Sequence, residues 1–347
     1  MTAAAERAIL DFYTYPPIGT DDWRYAFETA QVRAIEMGML SRTNLLDMAN
    51  AQDLASAAAA LAATEYALPQ ASAGGLGFGE VENMLLLRRT AARQLFSDLI
   101  LDEPIVRLFK ARDDFANLRL AVRRALTDRP LGTDYSPDGN VDAELFEQVF
   151  EEENYELFPD YMQQATEQAV LAYYQNKDIR RIDHAIDAAE AQYNLRMARK
   201  LGSVFLLGLF KIRIDLTNIR TMLRLKFTES EQRNVFLQGG FIELERFIHG
   251  LDVGYESLGA LFFVTPYHHV VDIGANYLAS NKSFLKIEQQ CEEHLTGYLK
   301  STVRITAGPQ PIIAYLLMKE NEIRTVRLIL TAKKNHLDTK LILDRIS

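Results

Sequence analysis

A repeated segment constrains this chain more than any other feature. Residues 108–119 read LFKARDDFANLR and residues 209–220 read LFKIRIDLTNIR, identical at seven of twelve positions and offset by 101 residues. A further arginine follows at the same spacing, Arg123 and Arg224. A weaker third copy, residues 315–327 (YLLMKENEIRTVR), places Glu322-Ile323-Arg324 where the others place Asn117-Leu118-Arg119 and Asn218-Ile219-Arg220. A second anchor keeps step: Val81-Glu82, Ile182-Asp183 and Ile287-Glu288 are apolar–acid pairs 26 or 27 residues upstream of each copy. A long-period repeat of this kind means one structural unit used several times. The 347 residues therefore divide into three related units, 1–135 with an N-terminal extension, 136–235 and 236–347.

The units read as helix. Prolines are absent between Pro17 and Pro69 and between Pro159 and Pro266, and proline inside a helix costs about 3 kcal/mol. In residues 43–67, Leu45, Leu46, Ala49, Leu54, Ala58, Leu61 and Ala62 recur at helical steps, with Thr43 and Asp47 near plausible starts. Ile182, Ile186, Ala189, Tyr193 and Met197 repeat the pattern. LFFV, residues 261–264, is the best strand candidate. Residues 127–142 read as a linker, 69–79 as a glycine-rich loop, and Glu151-Glu152-Glu153 as a solvated helix face. The expected class is all-α.

Each unit ends on an apolar helix carrying arginines three or four residues apart, hence on one face. These arginines can pair with carboxylates, the natural partners being Asp114, Asp215, Glu82, Asp183 and Glu288, or can contact another subunit. On this reading Asp114, Asn117, Arg119, Asp215, Asn218 and Arg220 are structural residues of the repeat.

Tests for enzyme chemistry return little. The glycines at 74, 75, 77 and 79 lack the Lys and Ser/Thr of a phosphate-binding loop. No glutamate stands three residues before a histidine, as a di-metal helix site requires. His268-His269 with Asp272 offers no distant third ligand, and Ser283 with Lys286 lacks a second signature. Asp113-Asp114-Phe115-Ala116-Asn117 resembles the aspartate-rich motif of class I terpene cyclases, magnesium-dependent all-helical enzymes, but no second metal motif accompanies it. The net charge of −9 argues against a nucleic-acid binder. The single Cys291 excludes a disulfide framework and fits a reducing compartment. No signal peptide is evident, and the most apolar run, Leu201 to Phe210, is too short to span a bilayer and reads as a core helix.

The C-terminal segment GPQPIIAYLLMKENEIRTVRLIL, residues 308–330, resembles the C subunit of the archaeal and bacterial V-type (A-type) ATPases, which is the d subunit in the vacuolar enzyme. The matching elements are Pro311, Tyr315, Lys319-Glu320, Glu322-Ile323 and Arg327. The LFKxRxDxxN[LI]R copies, the apolar–acid anchors and YAFETAQVRAIEMGML, residues 25–40, are similar to that family as well. The resemblance covers roughly residues 20–347; the first twenty residues and 127–160 depart from it. It implies a funnel of three similar helical units about a pseudo-threefold axis. It also implies a non-catalytic rotor subunit of the central stalk, with no cofactor and no metal, on the cytoplasmic side between the axle subunits and the membrane proteolipid ring. Such a subunit is one copy per complex, monomeric alone, and not inserted in the bilayer. Lys319, Glu320, Glu322 and Arg324 are then candidate axle contacts or members of internal ion pairs. Phe241, Ile242, Leu244, Phe262, Phe263 and Val264 are candidates for core or socket.

Overall fold

A computed structural model describes residues 14–68, 77–127 and 134–346. Those residues form fifteen α-helices and no strand. The helices are α1 (Ala26–Glu36), α2 (Arg42–Asn50), α3 (Leu54–Ala59), α4 (Phe78–Leu99), α5 (Glu103–Leu126), α6 (Ala143–Glu151), α7 (Asp160–Asn176), α8 (Ile179–Lys200), α9 (Val204–Phe227), α10 (Leu244–Asp252), α11 (Tyr255–Leu261), α12 (His268–Asn281), α13 (Leu285–Lys300), α14 (Pro309–Lys334) and α15 (Thr339–Ile346).

The repeat is visible in helix length and phase. The pairs α4–α5 and α8–α9 each run 22 then 24 residues. The pair α13–α14 runs 16 then 26, with a 3-10 turn at Ser301–Arg304 between its helices. Three nine-residue helices, α2, α6 and α10, open at Arg42, Ala143 and Leu244, successive steps of 101.

The chain divides into two compact units. One holds α5 to α10, residues 102–252; the other holds residues 14–101 and 253–346. These units do not follow the repeat boundaries, because the second helix of one pair packs on the first helix of another copy. In the first unit α5 lies against α8; in the second, α14 lies against α4. Ion pairs bind these seams, that of Arg93 on α4 with Glu320 on α14 at 3.1 Å among them. Arg123 on α5 pairs with Asp183 on α8, and Arg327 on α14 pairs with Glu82 on α4 at 2.8 Å. Arg119 adds contacts to Asp187 and, at 3.6 Å, to Asp183.

Each unit has an apolar core. In the first, Phe115, Leu118, Val122, Phe146, Met162 and Ile186 interlock. The aromatic stack Tyr135–Phe146 (5.3 Å, 24°) recurs 101 residues on as Phe236–Phe247 (5.7 Å, 24°). In the second, Met48, Leu61, Tyr66, Val81, Val326, Ile329 and Leu330 gather around α14. The run expected as a core helix lies at the start of α9, where Phe205 to Leu209 are buried. Among the described residues no helix is long and apolar enough to cross a membrane.

Several local expectations change. Residues 43–67 do not form one helix: the chain breaks at Ala51, and Asp53 caps α3 by accepting from Ser56 N at 2.8 Å. The start of α2 is Ser41, not Thr43 or Asp47, because Ser41 and Asn44 form a reciprocal capping box. LFFV is not a strand. Leu261 ends α11, and Phe262 is buried while both Phe263 and Val264 are exposed, so the alternation a half-buried strand needs is missing. Thr265 instead closes a turn, its hydroxyl donating to Phe262 O at 2.7 Å. The acidic run 151–153 is solvated at the end of α6. Residues 69–76 of the glycine-rich loop, 128–133 of the linker and the first thirteen residues lie outside the described residues.

Candidate functional site: three latches at the repeat junctions

The repeated Asp and Asn face the loop that enters the next copy. On α5, Asn117 exchanges two hydrogen bonds with Ser136: its Nδ2 donates to Ser136 O and its Oδ1 accepts from Ser136 N, both at 2.8 Å. On α9, Asn218 does the same with Leu237, again at 2.8 Å. One helical turn earlier, the fully buried Asp114 accepts from Asn140 N (2.7 Å) and Val141 N (3.0 Å). Asp215 accepts from the equivalent amides, Phe241 N (2.9 Å) and Ile242 N (3.2 Å). Asp114 also accepts from Asn140 Nδ2 (2.8 Å) and Tyr161 Oη (2.7 Å). Burial and the adjacent Asp114 carboxylate push the Tyr161 hydroxyl well above the ordinary phenol range, so it stays a donor. A carboxylate buried with this many donors is a stable cross-link between helix and loop.

The third copy makes the same latch with different residues. At the Asp and Asn positions α14 carries Lys319 and Glu322, 2% and 6% exposed. Glu322 Oε2 accepts from Leu40 N at 2.6 Å. Leu40 precedes Val141 by 101 residues, and Val141 precedes Ile242 by 101, so all three amides enter the nine-residue helix of their copy. Glu322 Oε1 accepts from Tyr66 Oη at 2.6 Å, and Lys319 pairs with both Glu322 and Glu65. The Lys319 ammonium also lies 4.9 Å from the Tyr66 ring centre. Burial, then the Glu322 charge, pushes the Tyr66 hydroxyl far up, and burial with the nearby Glu65 and Glu322 raises Tyr315 to about 12. The C-terminal repeat helix thus locks onto the segment entering the first copy.

Glycine makes the close approach possible. Gly38, Gly139 and Gly240 stand two residues before the latched amides. A Cβ on Gly139 would stand closer than 3.0 Å to Asp114 Oδ1, and one on Gly240 closer than 3.0 Å to Asp215 Oδ1. Both oxygens are already held by amides, so neither can retreat freely. Gly139→Ala and Gly240→Ala are expected to lower stability by about 2 kcal/mol, the range of overpacking. Gly38→Ala should be milder, since its Cβ meets only Ile35 O at 3.3 Å. Thermal melting of the three variants reads the difference.

The remaining expected site residues divide. Glu320 pairs with Arg93 at 3.1 Å, with both side chains largely buried. Arg324 is 63% exposed and lies 3.7 Å from Glu292. Arg220 is half-buried on α9. Of the apolar candidates, Phe262 is core, Phe263 and Val264 are exposed, and Phe241, Ile242 and Leu244 are half-buried at the second latch. His268 opens α12 with its Nδ1 2.9 Å from Gly259 O. Among the described residues no group of three or more His, Cys, Asp or Glu side chains is arranged to hold a metal ion. Nothing in the surroundings of Asp113 and Asp114 supports the diphosphate-enzyme alternative.

One buried group was missed in the sequence. His294 on α13 lies between Tyr15 (5.1 Å) and Tyr267 (4.9 Å), and burial lowers its pKa to about 4. The unfolded chain binds that proton near the ordinary value of 6.5, so it gains protons first as pH falls. Stability contributed by His294 is therefore complete above about pH 6.5 and is lost between there and about 4, by about 3 kcal/mol at most. Urea titrations from pH 7 to 4 should show this slope, and His294→Phe should flatten it.

The fold and latches define an all-helical scaffold: three copies of a helix-pair repeat, each junction fastened by buried polar side chains. The model of the family described as ATP synthase (C/AC39) subunit matches residues 29–345, and the chain belongs to that family. The C subunit of the V-type sodium ATPase of Enterococcus hirae is similar, 22% identical over 270 residues, which is 77% of this chain and 82% of that protein.

Proposed function

We propose that this chain is a non-catalytic rotor subunit of the central stalk in a V/A-type ATPase. It acts as a spacer passing rotation between the axle subunits and the proteolipid ring that carries protons or sodium ions. One copy sits in each complex, peripheral on the cytoplasmic face. Family membership supplies the class. The observation that carries the coupling role is the set of three buried latches, because a spacer must resist shear between its units. Close-packed helices transmit strain rather than absorb it, and each latch joins a helix of one copy to the entry of another. Lys319 and Glu322 serve this role from inside. Of the polar α14 residues, the exposed Arg324 is the one we assign to a partner surface.

The test is affinity purification of the tagged chain from detergent-solubilised membranes. Recovery of the axle subunits and the proteolipid supports the reading, and recovery of neither sinks it. Arg324→Glu should reduce the recovered axle without changing the melting of the isolated chain.

A further inference from the structure

A cavity of about 500 Å³ opens between α13 and α14, within the size range of small-molecule sites. The entry to α2 and the end of α15 also line it, and Tyr15 reaches it from the segment before α1. Gly297 on α13 makes room for that tyrosine: a Cβ there would stand closer than 3.0 Å to the Tyr15 hydroxyl. Met39, Leu45 and Met318 give the cavity an apolar wall.

The polar groups around it fall into two sets. Its carboxylates are already satisfied. Glu292 holds Arg345 through both oxygens, at 2.5 and 2.8 Å, and Glu322 belongs to the third latch. Glu293 accepts from Gln289 at 2.9 Å and from Gln290 at 3.4 Å. The donors are not satisfied. Among the described residues, the Arg42 guanidinium, the Lys300 ammonium, the Tyr15 and Thr296 hydroxyls and the Asn321 amide have no hydrogen-bond or ion-pair partner. Burial, then the Glu293 charge, raises the Tyr15 hydroxyl above the ordinary phenol range, which keeps it a donor. Arg345 and Lys319 offset Glu292 and Glu322, so two uncommitted cations stand against Glu293 alone. A site with spare donors and an excess of positive charge asks its ligand for acceptors and negative charge.

The second copy supplies an internal contrast. Its equivalent groove, between α8 and α9, is smaller, about 260 Å³. Asp187, Ile214 and Thr217 stand there where the larger cavity has Glu292, Met318 and Asn321, at offsets of 105, 104 and 104. That groove also carries Glu190, at the position of Leu295, and among the described residues this carboxyl has no hydrogen-bond or ion-pair partner. An unmet acid disfavours an anion, so the two grooves differ in what they can take.

We infer that the cavity between α13 and α14 binds an organic anion, a carboxylate or phosphate on an apolar body, with its acid group drawn to Arg42 and Lys300 and its body against Met39, Leu45 and Met318. This inference does not depend on the stalk reading, because its test needs no ATPase.

The probe is hexyl phosphate, titrated into the full-length chain by isothermal calorimetry. Saturable binding is expected, with hexanol and hexylammonium weaker by at least about tenfold, or about 1.4 kcal/mol. The double variant Arg42→Ala, Lys300→Ala should lose at least as much. Its thermal melting should be unchanged, because both side chains are exposed and unpaired. Glu190→Gln, in the other groove, should leave the affinity as it is. The inference is overturned by the absence of saturable binding up to millimolar probe, or by equal binding of hexylammonium. Equal binding to the double variant also overturns it, since the phosphate would then lie elsewhere on the surface. Inorganic phosphate binding as tightly as the hexyl ester would remove the apolar body from the site and overturn it too. A last arm separates the two sources of such an anion while the site itself stands. Displacement of the probe by the peptide acetyl-Leu-Glu-Leu-Glu-amide assigns the anion to acidic side chains of a partner, and its failure to displace assigns it to a free small molecule.

Discussion

Asp114→Ala is expected to lower the stability of the chain by about 4 kcal/mol, since each buried donor left without an acceptor costs about 1–3 kcal/mol. The substitution strands the buried Val141 N and takes the fully buried acceptor away from the half-buried Tyr161 hydroxyl and from Asn140 N at the loop surface. The loop at 135–141 also loses half of its anchor, leaving Asn117 to hold Ser136 alone. Asp114→Asn separates the hydrogen-bonding role from simple space-filling. Its carbonyl oxygen still accepts from the two amides, but its NH2 meets the donors on Tyr161 and Asn140, so an intermediate loss is expected. Urea denaturation reads both as a lower midpoint. If Asp114→Ala melted like the parent, the latch would be incidental. A loss in Asp114→Asn as large as in Asp114→Ala would assign the effect to the charge and not to the amides.

The second large effect is at the third latch. Lys319→Met should cost about 3–5 kcal/mol, because removing one partner of a buried ion pair leaves the others uncompensated. Here it leaves the buried Glu322 without its cation and Glu65 with Arg88 alone, at 3.8 Å. Adding Glu322→Gln to Lys319→Met should restore a good part of that loss. The glutamine removes the stranded charge and keeps an oxygen for Leu40 N. Recovery in the double variant is the diagnostic: a purely steric defect at Lys319 would not be relieved by a change at Glu322.

The two latches also show what was legible in the sequence. The repeated Asp-x-x-Asn announced the first two, since like residues at a fixed offset keep like partners. It did not announce what they hold, because helix periodicity carries no information about loops 19 to 27 residues downstream. The third latch was hidden by its chemistry. Lysine and glutamate replace aspartate and asparagine, and read as a surface pair in a sequence where most such pairs are exposed. A signal was present in Gly38-Met39-Leu40, Gly139-Asn140-Val141 and Gly240-Phe241-Ile242, a glycine two places before an apolar residue at steps of 101.

The helical class and the family were readable throughout, because apolar period and the C-terminal segment depend on local sequence. Helix breaks were less so. The division of 43–67 into α2 and α3 turned on the single capping carboxylate of Asp53. His294 was invisible for another reason: its aromatic neighbours come from residues 15 and 267, which only tertiary packing brings together.

The coupling role is tested most directly by ATP-driven ion uptake into membrane vesicles whose ATPase has been stripped of this chain. Stripped vesicles should retain ATP hydrolysis by the head without ion uptake, and uptake should return as the chain is added back, saturating at one copy per complex. Uptake that is the same with and without the chain would contradict the account.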